Sequence, residues 1–95
     1  MLTGKQRANL KKLANEIDAT VYIGKNELTD NIIKEISDYL EAHELVKVKL
    51  QENVELDPKD VANEVAEKIG AEYVQAIGRK FVLYKESKDH KQIII

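Results

Sequence analysis

The run Leu45-Val46-Lys47-Val48-Lys49-Leu50 narrows the possible folds more than any other part of this chain. From Val46 onward, apolar and cationic residues alternate strictly. Successive side chains of an extended strand point to opposite faces, so Val46, Val48 and Leu50 fall on one face and Lys47 and Lys49 on the other. A helix would scatter the same residues around its axis. The chain therefore needs a sheet with one face buried and another at least partly wet.

A second strand pair follows from "AEYVQAIGRKFVLYK". Two β-rich runs flank Gly78 and Arg79, which predicts a tight hairpin. "ATVYIG" adds a short strand that ends at Gly24. The remaining periodicity is helical. "LTGKQRANLKKLANEI" predicts a first helix, with Thr3 and Gln6 as a capping box and Leu10, Leu13, Ala14 and Ile17 as the apolar stripe. Thr29 caps a second helix whose inner face is Ile32, Ile33, Ile36 and Leu40; Leu28 and Ile33 have the spacing of a hydrophobic staple. Asp57 caps a third, with Pro58 in its first turn, Val61, Val65 (or Ala62) and Ile69 inward, and Gly70 as its stop. "QENVEL" reads as a polar linker and "ESKDHKQIII" as a polar tail.

The element order is thus α-β-α-β-α-β-β. Strands joined through helices predict parallel neighbours, and the hairpin adds an antiparallel pair. The expected fold is an α/β domain, a single compact four-stranded mixed sheet with packed helices, in keeping with 95 residues. It occupies residues 1–85, with residues 86–95 as the tail.

Composition excludes several functions. There is no cysteine, so no disulfide framework, thiol nucleophile or cysteine-bound zinc is available. His43 and His90 lack partners at metal-ligand spacing, and no nucleophile, base or Walker pattern is present. The chain is expected to be no enzyme and to need no cofactor or metal. No run is long enough to span a bilayer and the start lacks the order of a signal peptide, so no membrane is expected and the cytoplasm is the expected location.

The net charge of -2 is unevenly distributed. Residues 1–34 carry six Lys/Arg against four Asp/Glu, residues 51–72 two against seven, and residues 73–95 five against two. A fold that joins the two ends would create a basic pole able to attract phosphate on an acidic protein. Lys5, Arg7, Lys11 and Lys12 on the first helix, with Lys47, Arg79 and Lys80, are the candidate cations; Lys49 shares the polar strand face. Gly24, Lys25 and Asn26 precede a helix N-terminus, where free amides favour an anion. Tyr22, Tyr73 or Tyr84 could stack a base if solvent-facing.

Four segments in order, "LTGKQR", "IGKNELT", "HELVKVKL" and "VQAIGRKFVLYK", resemble the CRM domain, the chloroplast RNA splicing and ribosome maturation domain, in its stand-alone bacterial YhbY-like form. The resemblance runs from Leu2 to about Lys85. It implies a fold related to the C-terminal domain of translation initiation factor three. It also implies binding to RNA, in bacteria to precursors of the large ribosomal subunit, by a glycine-x-x-glycine loop like that of KH domains, which clamps the nucleic-acid backbone. Gly24, Lys25 and Asn26 match that loop's first three positions, and Glu27 replaces its second glycine. The expected function is binding of ribosomal RNA during ribosome assembly, by a monomer. Two alternatives stay open: an adaptor that uses the acidic middle or the tail to dock proteins, and an Alba-like nucleic-acid binder.

Overall fold

The computed structural model describes residues 2–24 and 28–93. The chain runs α1 (Gly4–Ala14), β1 (Val21–Ile23), α2 (Asp30–His43), β2 (Leu45–Leu50), α3 (Pro58–Ile69), β3 (Glu72–Ile77) and β4 (Lys80–Tyr84). The four strands form one mixed sheet in the order β1-β2-β4-β3.

The expected mixed sheet is present, but its strand neighbours differ in one respect. β1 and β2 are parallel neighbours, as a helical crossover predicts. β2 and β3 are also joined through a helix, yet β4 lies between them and pairs antiparallel with both. Burial explains the insertion. Phe81, Val82, Leu83 and Tyr84 are all buried, which only a central strand allows. β3 carries the half-wet Gln75 and the exposed Ile77, and it takes the edge.

The caps form where the sequence places them. Thr3 accepts from the Gln6 N–H at 3.1 Å while the Gln6 side chain accepts from the Thr3 N–H at 2.9 Å. Thr29 accepts from the Ile32 N–H, and Asp57 from the Lys59 N–H with Pro58 opening the helix behind it. α1 is shorter than its pattern suggests. It ends at Ala14, with Asn15 as its cap, so Ile17 lies in the following turn and Leu13 stays exposed.

Helices cover both faces of the sheet. α2 and α3 pack over Val21, Ile23, Val46, Val48, Leu50, Phe81 and Leu83 in the larger core. α1 packs its Leu10 and Ala14 with Leu45, Val74, Val82 and Tyr84 in a smaller cluster. A fully buried aliphatic or aromatic side chain contributes roughly 1.5–3 kcal/mol, so most of the stabilisation resides on the α2/α3 side. The layers also differ in charge. α1 carries four cations and no acid, whereas α2 carries four acids against one lysine and α3 three against two.

The β3–β4 hairpin turns in two residues. Ile77 pairs with Lys80, and Gly78 between them has φ of 62°, a conformation that favours glycine. Arg79 follows, and its guanidinium donates to the carbonyls of Gln51, Val54 and Leu56. It thereby fastens the hairpin to the connection between β2 and α3. Replacing Arg79 with Ala should lower the melting temperature by roughly 5–15 °C, since hydrogen bonds from a charged donor contribute about 1.5–3 kcal/mol. Arg79→Lys should recover only part of the loss, because a single ammonium cannot reproduce the fork. Thermal denaturation of the two variants tests this; equal stability to the parent would show that the brace contributes nothing.

The segment after β4 is tied down. The Glu44 carboxylate, fully buried just after α2, accepts from the backbone N–H groups of Ser87, Gln92 and Ile93. Glu41 accepts from the Ser87 hydroxyl at 2.6 Å and from the Lys88 and Asp89 N–H groups. These bonds hold the Glu41 carboxyl at about 2, the Ser87 hydroxyl acting most strongly. For Glu44, burial pushes the pKa up, but the N–H groups of Gln92, Ile93 and Ser87 outweigh it and the net shift is downward. The polar tail read from the sequence is therefore clasped through its backbone as far as Ile93.

Candidate nucleic-acid interface

The register of the sheet places four residues in one row across all four strands. Tyr22 pairs with Lys49, Lys49 with Lys80, and Lys80 with Ile77. Their strand neighbours Ile23, Val48, Leu50 and Phe81 belong to the α2/α3 core, so by alternation this row faces the α1 side. α1 covers the opposite end of that face, over Leu45, Val82 and Tyr84. The row is left open: Tyr22 is 51% exposed and Ile77 67%.

Neither Lys49 nor Lys80 has an ion-pair or hydrogen-bond partner among the described residues. They oppose each other on antiparallel strands. Like charges in that position repel and destabilise the pair. Tyr22 is fixed by its hydroxyl, which donates to the Ala19 carbonyl at 3.1 Å.

Two depressions border the row. One of about 330 Å³ is lined by Asn15, Lys47, Gln75, Ile77, Lys80 and Val82. The other, of about 400 Å³, lies between α1 and the β3 edge and is lined by Arg7, Lys11, Tyr73, Gln75 and Ile77. Gln75 and Ile77 belong to both, so the cations around them share one surface.

The expected site residues separate into three groups. Arg7 and Lys11 line the α1 groove, and Lys80 lies in the open row. Lys5 and Lys12 are exposed on the side of α1 away from Leu10 and Ala14, given 3.6 residues per turn. Lys47 and Arg79 are engaged with the protein itself. The Lys47 ammonium donates to the Ile17 carbonyl at 2.8 Å, and the Arg79 guanidinium is the hairpin brace. Both keep their positive charge and line the first depression, although one Lys47 N–H and the Arg79 fork are given to backbone carbonyls.

Gly24 lies at the open end of the sheet, where the Ile23 carbonyl accepts from the Gln51 N–H at 2.9 Å. Its φ is not positive. A Cβ there would meet the end of the Gln51 side chain at 3.0 Å, a flexible group able to move aside. The fold itself makes little demand for glycine at this position. Lys25, Asn26 and Glu27 lie outside the described residues.

Sequence reasoning did not single out Ile77, and it made the role of Tyr22 conditional on exposure. Period-two alternation places each on a face, but only the length and position of α1 leave that part of the face open. Among the described residues no group of His, Asp or Glu side chains could hold a metal ion, and no helix is long and apolar enough to cross a membrane.

An open, cation-bearing sheet face beside a strand-to-helix loop defines a module suited to binding a polyanion. The chain belongs to the CRS1/YhbY (CRM) domain family, whose model matches residues 2–85. It is 45% identical over 93 residues to the Bacillus subtilis protein named "Probable RNA-binding protein YqeI", covering 98% of this chain and 97% of that one. A Haemophilus influenzae protein named "RNA-binding protein" is 36% identical over 90 residues, covering 95% and 91%. The solution structure of a hypothetical protein from Staphylococcus aureus superposes with a TM-score of 0.83 at 44% identity, covering 100% of this chain and 99% of that one.

Proposed function

We propose that this chain is a non-catalytic RNA-binding module of the cytoplasm that acts as a monomer on ribosomal RNA in large-subunit precursors during ribosome assembly. The observation that carries RNA binding is the unpartnered pair Lys49 and Lys80 on an open sheet face. α1 adds Arg7 and Lys11 beside it. The names of the relatives support the same ligand class. The ribosomal target follows from the family resemblance alone. Residues 1–85 would form the RNA-binding domain, with 86–95 as its tail.

Contacts of this kind neutralise phosphates and position the RNA; they carry no base code. The segment from Gly24 to Asn26 would bring backbone amides and Lys25 to a phosphate. The acidic α2/α3 layer would face away and keep the protein from binding polyanions on both sides.

Binding of a large-subunit ribosomal RNA fragment and a matched duplex DNA across a salt series tests the proposal. RNA should bind more tightly than DNA, with affinity falling steeply as salt rises. Equal binding would favour the Alba-like alternative, and no binding would favour an adaptor. In the same assay Lys25→Glu should weaken RNA binding about tenfold with an unchanged melting temperature. Unchanged affinity would remove the loop from the interface.

A further inference from the structure

The open row differs at its ends from its middle. Two cations occupy the centre, an exposed aromatic residue one end and an exposed aliphatic residue the other. Neighbouring strands lie about 4.8 Å apart, so Tyr22 and Ile77 are separated by roughly 14 Å across the sheet. Phosphate recognition alone would need only the lysines. An isolated exposed Leu or Ile is unremarkable, but here Tyr22 and Ile77 are in register with the two free ammonium groups between them.

We infer that this row is a platform for an unpaired RNA strand, with one base stacked on Tyr22, the following phosphates over Lys49 and Lys80, and a second base against Ile77. The inference rests on the RNA-binding reading above and adds a choice the charges cannot make, single strand over duplex. Bases in a duplex are stacked on one another and their faces are closed, so a side chain on a sheet cannot reach them. Unpaired bases in loops and bulges present their faces to aromatic residues. Charge fits this occupant without selecting it, since the two lysines would track either backbone and none of the four residues in the row is acidic. The hydroxyl bond from Tyr22 to Ala19 keeps the ring in place before RNA arrives, which reduces the entropy lost on stacking.

The test measures binding of a short single-stranded RNA and of a fully paired RNA duplex to the full chain and to Tyr22→Ala, Tyr22→Phe and Lys49→Glu. The parent should prefer the single strand. Tyr22→Ala should lose about tenfold or more for the single strand and change little for the duplex, because base–aromatic stacking is typically lost by such truncation. Tyr22→Phe keeps the ring but loses the hydroxyl bond to Ala19, so its single-strand affinity should fall between those of the parent and Tyr22→Ala, and unchanged duplex binding by both variants controls for folding. Lys49→Glu should weaken both RNAs. A Tyr22→Ala variant that binds the single strand as well as the parent overturns the platform while leaving RNA binding in place. A parent that prefers the duplex overturns it as well. If the parent binds neither RNA, the function proposed above fails, and the platform with it.

Discussion

Reversing both Lys49 and Lys80 to Glu is expected to reduce RNA affinity by about 100-fold at moderate salt. The two ammonium groups have no partner among the described residues, so they are available to phosphate. Each phosphate contact contributes a slope of about −0.7 in log affinity against log salt for a single strand. The double reversal should therefore flatten the salt dependence by roughly 1.4 as well as weaken binding. Single neutral variants separate stability from function. Lys49→Gln relieves a cross-strand repulsion and should stabilise the fold by a few tenths of a kcal/mol, at the same time weakening RNA binding. Opposite signs in the two measurements are the expected mark of a charge kept for binding. A double reversal that leaves both affinity and salt slope unchanged would show that the open row is not the interface.

Glu44→Ala is expected to cost about 2–4 kcal/mol, enough to lower the melting temperature by about 10 °C or more. The carboxylate is fully buried and is the acceptor for three backbone N–H groups of the segment after β4. Alanine would leave those donors without a partner. It would also keep the cost of φ 67° at a non-glycine residue. Glu44→Gly removes the second cost and should be less destabilising by up to about 1 kcal/mol. Acid should act on the same clasp. The folded-state pKa values of Glu41 and Glu44 are both lowered, so their contribution is complete above the ordinary carboxylate value of 4.5 and is lost as pH falls through the folded values, about 2 for Glu41. The amides of Ser87, Gln92 and Ile93 should then exchange faster at pH 2 than at pH 5, after correction for intrinsic rates. Equal protection would place their stability elsewhere.

The local code for this fold was legible. Thr3, Thr29 and Asp57 cap helices as their spacing predicts, Gly78 turns the hairpin, and Lys47 and Lys49 take the face opposite Val46 and Val48. Strand order was less so. The run Phe81 to Tyr84 lacks alternation, the mark of burial on both faces, and this outweighs the preference of crossover-linked strands for adjacency. Arg79 shows the main limit on the site. Its sequence context is a turn beside another cation, which reads as surface charge. Its actual partners are three carbonyls more than twenty residues away, a contact no periodicity encodes. Glu44 is similar: a glutamate after a helix looks solvated until the tail folds onto it. The basic pole was legible as a charge distribution, and the structure brings α1 and the β3 edge together to form it.

The most direct test of the central claim is a map of amide chemical-shift changes as unlabelled ribosomal RNA is added to the isotopically labelled chain. The account predicts changes concentrated at Tyr22, Gly24, Lys49, Gln75, Ile77 and Lys80, with the exposed faces of α2 and α3 silent. Changes confined to α2 and α3, with the open row unaffected, would contradict it.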